Sequence, residues 1–204
     1  MNPMAAAATM RGLCLLLLGL LAGCNTADPV VHANALDISW RFAQTPADFQ
    51  LYDTSGKARS LADFRDKVVV LFFGYTHCPD ACPTTLAGLA RLMRGLGPAA
   101  ADVQVLFVTV DPERDTAQLL AQYVPSFYPS FIGLYGDAQA TAQAARVFAV
   151  NYEKHAENGG NYTVDHSAGT YLIGRGGRVV LLSPYGQRDE LLLQDIRQLL
   201  GMAR

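Results

Sequence analysis

Cys78 and Cys82 lie four positions apart in Tyr75-Thr76-His77-Cys78-Pro79-Asp80-Ala81-Cys82-Pro83, a spacing at which two thiols can act on one atom. At positions i and i+4 of a helix the Cβ atoms stand roughly 5–6 Å apart, wider than the ~3.8 Å of a relaxed disulfide but suited to two thiolates gripping one soft ion. Cys78 precedes the expected helix, so a small backbone turn could also close a disulfide. Dithiol, disulfide and metal chelate are therefore three chemistries open to the same pair. Amide groups at a helix N-terminus favour thiolate, which predicts lowered pKa values for both cysteines. Pro83 suits the first helical position, where its missing N–H would be unpaired anyway.

The elements that must position this pair follow from hydrophobic patterning. Val68 to Phe73 is an unbroken apolar run, as expected of a strand covered on both faces. From Pro83, Leu86, Leu89, Leu92, Met93 and Leu96 recur at helical spacing up to Gly97-Pro98, and Val103 to Val110 supplies a second buried strand. The result is a βαβ unit with the cysteines where its first strand hands over to its helix. Around it, Asp48 to Tyr52 and Thr54-Ser55-Gly56-Lys57 form an opening hairpin, Asp115 to Tyr123 and Ala138 to Val150 are helical, and Phe131 to Leu134 is a short strand. Tyr152 and Tyr162-Thr163-Val164 flank the turn Glu157-Asn158-Gly159-Gly160 as an inserted surface hairpin. Thr170 to Ile173 and Arg178 to Leu182 form a final hairpin before a helix with Leu191, Leu192, Ile196, Leu199 and Leu200 on one face. The order β-α-β, then β-β-α, is thioredoxin-like connectivity: an α/β domain with a central mixed sheet flanked by helices, spanning residues 46–204 without a second domain.

A third ligand decides what the cysteines can hold. Two thiolates suffice for Cu(I), whereas holding Cu(II) as well calls for a harder donor, usually imidazole. Of the four histidines, His32 falls in the expected N-terminal tether, His155 in the surface excursion, and His77 adjoins Cys78, where sequence neighbours point apart. His166 stands in Asp165-His166-Ser167, just before the strand 170–173. In a thioredoxin-like fold the loop entering that strand lies against the dithiol, so His166 is the candidate ligand.

Three separated segments carry a family resemblance: Phe73-Gly74-Tyr75-Thr76-His77-Cys78-Pro79-Asp80-Ala81-Cys82-Pro83, Asp111-Pro112-Glu113-Arg114-Asp115-Thr116, and Tyr162-Thr163-Val164-Asp165-His166-Ser167. Their content and order resemble the Sco/SenC family of copper-binding proteins. The resemblance implies a thioredoxin-like fold, copper bound as Cu(I) and Cu(II) through residues matching Cys78, Cys82 and His166, and a role in assembling the dinuclear copper centre of cytochrome c oxidase. The implied partner is the copper-accepting subunit of that oxidase, together with other periplasmic copper chaperones or thiol-disulfide proteins. The family acts as metallochaperone, as thiol reductase for the oxidase cysteines, or both. A thiol-disulfide oxidoreductase is accordingly the alternative, although three residues rather than two separate the cysteines. A peroxiredoxin-like peroxidase is disfavoured because Tyr75 stands three residues before Cys78, where Thr or Ser is needed. The Asp111 segment follows the second buried strand and so lies at the cysteines' sheet edge. Its structural reading is a turn at Asp111-Pro112, an N-cap at Asp115 and an Arg114 paired with a local acid; its functional reading gives Asp111 or Arg114 an outer-shell role near copper.

Composition bounds these readings. Half of the 204 residues are hydrophobic and 17% are charged, which excludes a disordered polyelectrolyte. The net charge of −2 provides no basic field for nucleic acid. Arg11 precedes a short apolar run, Leu13 to Gly23, of the length of a secretory signal rather than a membrane span. Leu21-Ala22-Gly23-Cys24 resembles the bacterial lipobox, which predicts a signal peptide over 1–23 and lipidation at Cys24. Residues 24–45 then read as a tether, and the domain is expected outside the cytoplasm, on the periplasmic side of a bacterial envelope membrane. Cys14 goes with the leader and Cys24 with the lipid, leaving Cys78 and Cys82 to the domain.

Overall fold

The computed structural model describes residues 34–43 and 47–202. The expected signal peptide, Cys24, His32 and the first part of the tether lie outside these described residues.

Strands Val68–Gly74 (β4) and Val103–Thr109 (β5) are buried along their whole lengths and pair in parallel, with Phe72 opposite Phe107. Between them runs the helix Ala81–Leu96 (α1), whose inward face carries Leu86, Leu89, Leu92, Met93 and Leu96. Strands buried residue by residue need cover on both faces. Phe73 packs with Phe148 and Tyr171 on one side, while Phe72 packs with Phe107 and the His166 ring on the other.

Among the described residues the main sheet has eight strands. Ile132–Tyr135 (β6) extends the parallel part beside β5, and the hairpin Leu51–Asp53 (β2) and Ala58–Arg59 (β3) closes that edge antiparallel. On the other side of β4 lie Thr170–Ile173 (β9), Val179–Ser183 (β10) and Leu36–Asp37 (β1), all antiparallel. Helices Ala117–Phe127 (α2), Ala138–Phe148 (α3) and Asp189–Leu199 (α4) complete the layers. Tyr152–Ala156 (β7) and Tyr162–His166 (β8) pair only with each other. The fold is thioredoxin-like, as the connectivity predicts.

Three differences from the sequence expectation bear on the site and the core. The helix carrying the cysteines starts at Ala81, so Pro83 is its third residue; it remains in the first turn, where a missing N–H breaks no bond. Thr116, not Asp115, caps α2, accepting from the Leu119 amide at 3.2 Å. Residues 34–43, expected within the tether, pack onto the domain instead. Ala35 and Phe42 are buried, Leu36 pairs with Leu182, and the fully buried Asp195 carboxylate accepts the backbone N–H groups of Asn34 at 2.8 Å and Ala35 at 2.9 Å. Asp195→Ala would strand these donors and is expected to lower stability by about 2 kcal/mol. A urea midpoint unchanged from the parent would show that this N-terminal segment does not stabilise the domain.

Candidate metal centre

Gly74 ends β4 at the point where Cys82 needs room. A Cβ there would lie 2.8 Å from Cys82 Sγ and 2.9 Å from Phe107, so only glycine lets the sulfur seat against the sheet. The chain then turns through Tyr75–Asp80, with the Cys78 amide bonded to the Tyr75 carbonyl at 3.3 Å. Cys78 Sγ in turn accepts the Cys82 N–H at 3.4 Å. This satisfies one of the unpaired donors at the start of α1, a capping role filled here by sulfur.

A second contact set fixes the loop from the side. The buried Asp115 carboxylate accepts from the Thr76 amide at 3.0 Å, the Thr76 hydroxyl at 2.5 Å and the Thr109 hydroxyl at 2.6 Å. It thereby ties the loop after β4 to the end of β5. Thr76 and Thr109 are site-shaping residues without an assignment from the sequence, and Asp115, expected as a helix N-cap, holds this loop instead. The sequence offers one clue, an acid just beyond a buried parallel strand, at the same sheet edge as the cysteines.

His166 arrives from β8. Its ring meets Tyr75 edge-on at 6.0 Å and Phe72 at 6.2 Å, and its Nε2 lies 3.5 Å from Cys82 Sγ. Nδ1 is 3.1 Å from the Ser167 carbonyl oxygen, which can only accept, so Nδ1 carries the proton and Nε2 presents its lone pair to the sulfurs. Burial pushes the His166 pKa down, which keeps the ring neutral and ligand-ready at neutral pH.

Cys78, Cys82 and His166 each offer one ligand atom, and all three atoms lie within 4.8 Å of one another. Both cysteines are free thiols; Cys82 is buried and Cys78 partly exposed. Burial pushes the Cys82 thiol well up, the opposite of the lowering expected at a helix N-terminus. The helix field is overridden here by desolvation of the charged form.

The other candidates lie further off. The His77 side chain is half exposed and its Nδ1 is 3.0 Å from the Thr76 hydroxyl, outside the trio. His155 pairs with Asp165 at 3.2 Å on the exposed side of the hairpin. Asp111 and Arg114 form an ion pair at 2.5 Å, as the structural reading of that segment expects. Neither belongs to the trio; they reach the inserted hairpin instead. Arg114 donates to the Tyr162 carbonyl at 2.8 Å and stacks 3.6 Å above the Tyr162 ring, while the Tyr162 hydroxyl donates to Asp111 at 2.6 Å.

Two thiols at a helix N-terminus, faced by an imidazole at the end of β8, give a thioredoxin-like domain a three-donor group that could hold a soft metal ion. The SCO1/SenC family model matches residues 41–201, and the chain belongs to that family. It is 46% identical over 129 residues to the mitochondrial SCO2 homolog of Bos taurus, covering 62% of this chain and 48% of the relative. The chain thus spans about half the length of the curated relative it matches. Copper-bound ScoI of Bradyrhizobium japonicum superposes with a TM-score of 0.70 at 38% identity, over 75% of this chain and 98% of that one. Apo Sco1 from Thermus thermophilus gives 0.69 at 44% identity, over 76% and 91%.

Proposed function

We propose that this protein is a copper metallochaperone. Cys78, Cys82 and His166 would hold one copper ion and pass it to the copper-accepting subunit of cytochrome c oxidase. The observation that carries the reading is the convergence of two sulfurs and one unprotonated imidazole nitrogen within 4.8 Å, drawn from elements 84 residues apart. That donor set suits copper in both oxidation states: thiolates favour Cu(I), and imidazole accommodates Cu(II). The copper-bound state of the Bradyrhizobium relative supports it.

Loading requires the buried Cys82 to give up its proton, so metal binding is coupled to proton release. Cys78 is the more accessible sulfur. Ligands of an acceptor would reach copper from that side, and transfer would proceed by stepwise ligand exchange. Among the described residues no helix is long and apolar enough to cross a membrane. The attachment we propose is the lipid at Cys24, with the domain on the periplasmic side of the bacterial envelope and oxidase assembly as its setting.

The test is copper titration of the reduced protein. One equivalent is expected to bind in either oxidation state. His166→Ala is expected to weaken Cu(II) by about a hundredfold and Cu(I) by no more than about tenfold, since two thiolates remain. Unchanged Cu(II) affinity in that variant would remove His166 from the site.

A further inference from the structure

The strand that delivers His166 belongs to a ribbon of two. Among the described residues, β7 and β8 share no backbone ladder with the main sheet, and β7 is almost wholly exposed. An isolated two-stranded hairpin is marginal in water, so its side-chain attachments decide where His166 stands.

Those attachments fall on one face of β8. Side chains two apart share a face, which puts Tyr162, Val164 and His166 toward the body of the domain. Val164 is buried, and its N–H donates to the Tyr75 hydroxyl at 3.3 Å. At the far end Tyr162 lies between its hydroxyl's bond to Asp111 and the Arg114 guanidinium stacked on its ring. Arg114 also bonds Asn161 Oδ1 at 3.2 Å, and Lys154 on β7 reaches Glu113 at 2.7 Å and lies 4.8 Å from the Tyr162 ring centroid. The Asp111-Glu113-Arg114 turn therefore grips both strands of the hairpin.

We propose that Arg114 and Tyr162, braced by Asp111, are positioning residues that latch the hairpin and so hold His166 against Cys82. The inference rests on the copper-site reading above. The latch acts from four residues away, ~13 Å along the strand, and its members touch none of the three ligand atoms. The Asp111–Arg114 pair lies within one turn and gives a fixed, buried anchor, so a shift of the latch end loses the Tyr162 hydroxyl's bond to Asp111, the Arg114 bond to the Tyr162 carbonyl and the stack on the ring. A planar guanidinium is needed because it pairs, donates and stacks at once, which an ammonium cannot do.

The test uses Tyr162→Ala, which leaves the Asp111–Arg114 pair in place, alongside Arg114→Lys. In the metal-free protein the Val164 amide is expected to exchange at least about tenfold faster in Tyr162→Ala, while amides of β4 and β5 keep their protection. In the copper-loaded protein Cu(II) affinity should fall roughly tenfold, with the Cu(II) absorption and electron paramagnetic resonance spectra shifting toward those of His166→Ala and Cu(I) affinity changing by less than about threefold. Arg114→Lys should show the same pattern despite its conserved charge. Combined with His166→Ala, Tyr162→Ala should cause no further loss of Cu(II) affinity. Parental Val164 exchange in Tyr162→Ala, or losses that add in the double variant, would overturn the latch. Should His166→Ala itself bind Cu(II) like the parent, the copper-site reading fails instead, and the Val164 exchange still judges whether the latch holds the strand.

Discussion

Cys82→Ser is expected to lower Cu(I) affinity by about a thousandfold, equivalent to ~4 kcal/mol, while leaving the domain folded. A serine hydroxyl is a hard, neutral donor that does not replace a thiolate on a soft ion. The fold should survive because oxygen is smaller than sulfur in a seat bounded by Gly74 and Phe107, and because His166 Nε2 stands ready to accept from a hydroxyl there. Burying that hydroxyl costs about 1–2 kcal/mol, a fraction of the stability of an ordinary domain. Competition against a chromogenic Cu(I) chelator, with a thermal melt of the apo protein alongside, separates binding from folding. A dissociation constant within tenfold of the parent's would exclude Cys82 as a ligand.

The largest effect on stability is expected from Asp115→Ala, at about 4 kcal/mol. Its carboxylate collects one backbone amide and two hydroxyls in a buried setting, and alanine leaves all three donors without that acceptor. The damage should extend to the site, because Thr76 is two residues before Cys78 and is fixed to β5 through this carboxylate. Asp115→Asn keeps one acceptor oxygen but turns an N–H group toward existing donors, so an intermediate loss is expected. Urea unfolding monitored by circular dichroism measures both. A loss below about 1 kcal/mol in Asp115→Ala would mean that the loop is held by its other contacts.

The parts of this fold legible in the sequence are those whose signal is local. β4 and β5 are apolar runs, α1 shows its period in five residues, and the turn glycines mark the hairpins. Cys78, Cys82 and His166 could be paired because connectivity brings a thiol at a strand end beside the segment leading into a neighbouring strand, although His166 closes β8 rather than lying in the loop expected there. What escaped depends on partners distant in the chain. Residues 34–43 look like a tether until Asp195, some 160 positions away, binds their amides. The start of α1 at Ala81 rests on a thiol capping an amide, which propensity rules do not anticipate. The ionisation of Cys82 is not legible in the sequence, because the helix N-terminus is visible there whereas the depth of the sulfur is set by Gly74 and Phe107 on two strands. The alternation of Tyr162, Val164 and His166 was in plain view, but its meaning required Arg114, 48 residues earlier.

The unequal burial of the two sulfurs also bears on reductase chemistry. A dithiol that reduces another protein's disulfide attacks with one thiolate and is released when the second attacks the mixed disulfide. Here the partly exposed Cys78 is the sulfur able to make the first attack, so the release step falls to Cys82. Burial keeps that thiol protonated, and each unit by which its pKa exceeds the ambient pH leaves roughly tenfold less attacking thiolate. In the reverse direction, a small thiol attacking an oxidised pair at Cys78 must expel Cys82, a poor leaving group for the same reason. A metal ion meets the same proton but gains a metal–sulfur bond as the proton departs. The same pocket wall is thus a slow step for turnover of disulfides and a surmountable one for taking up a metal.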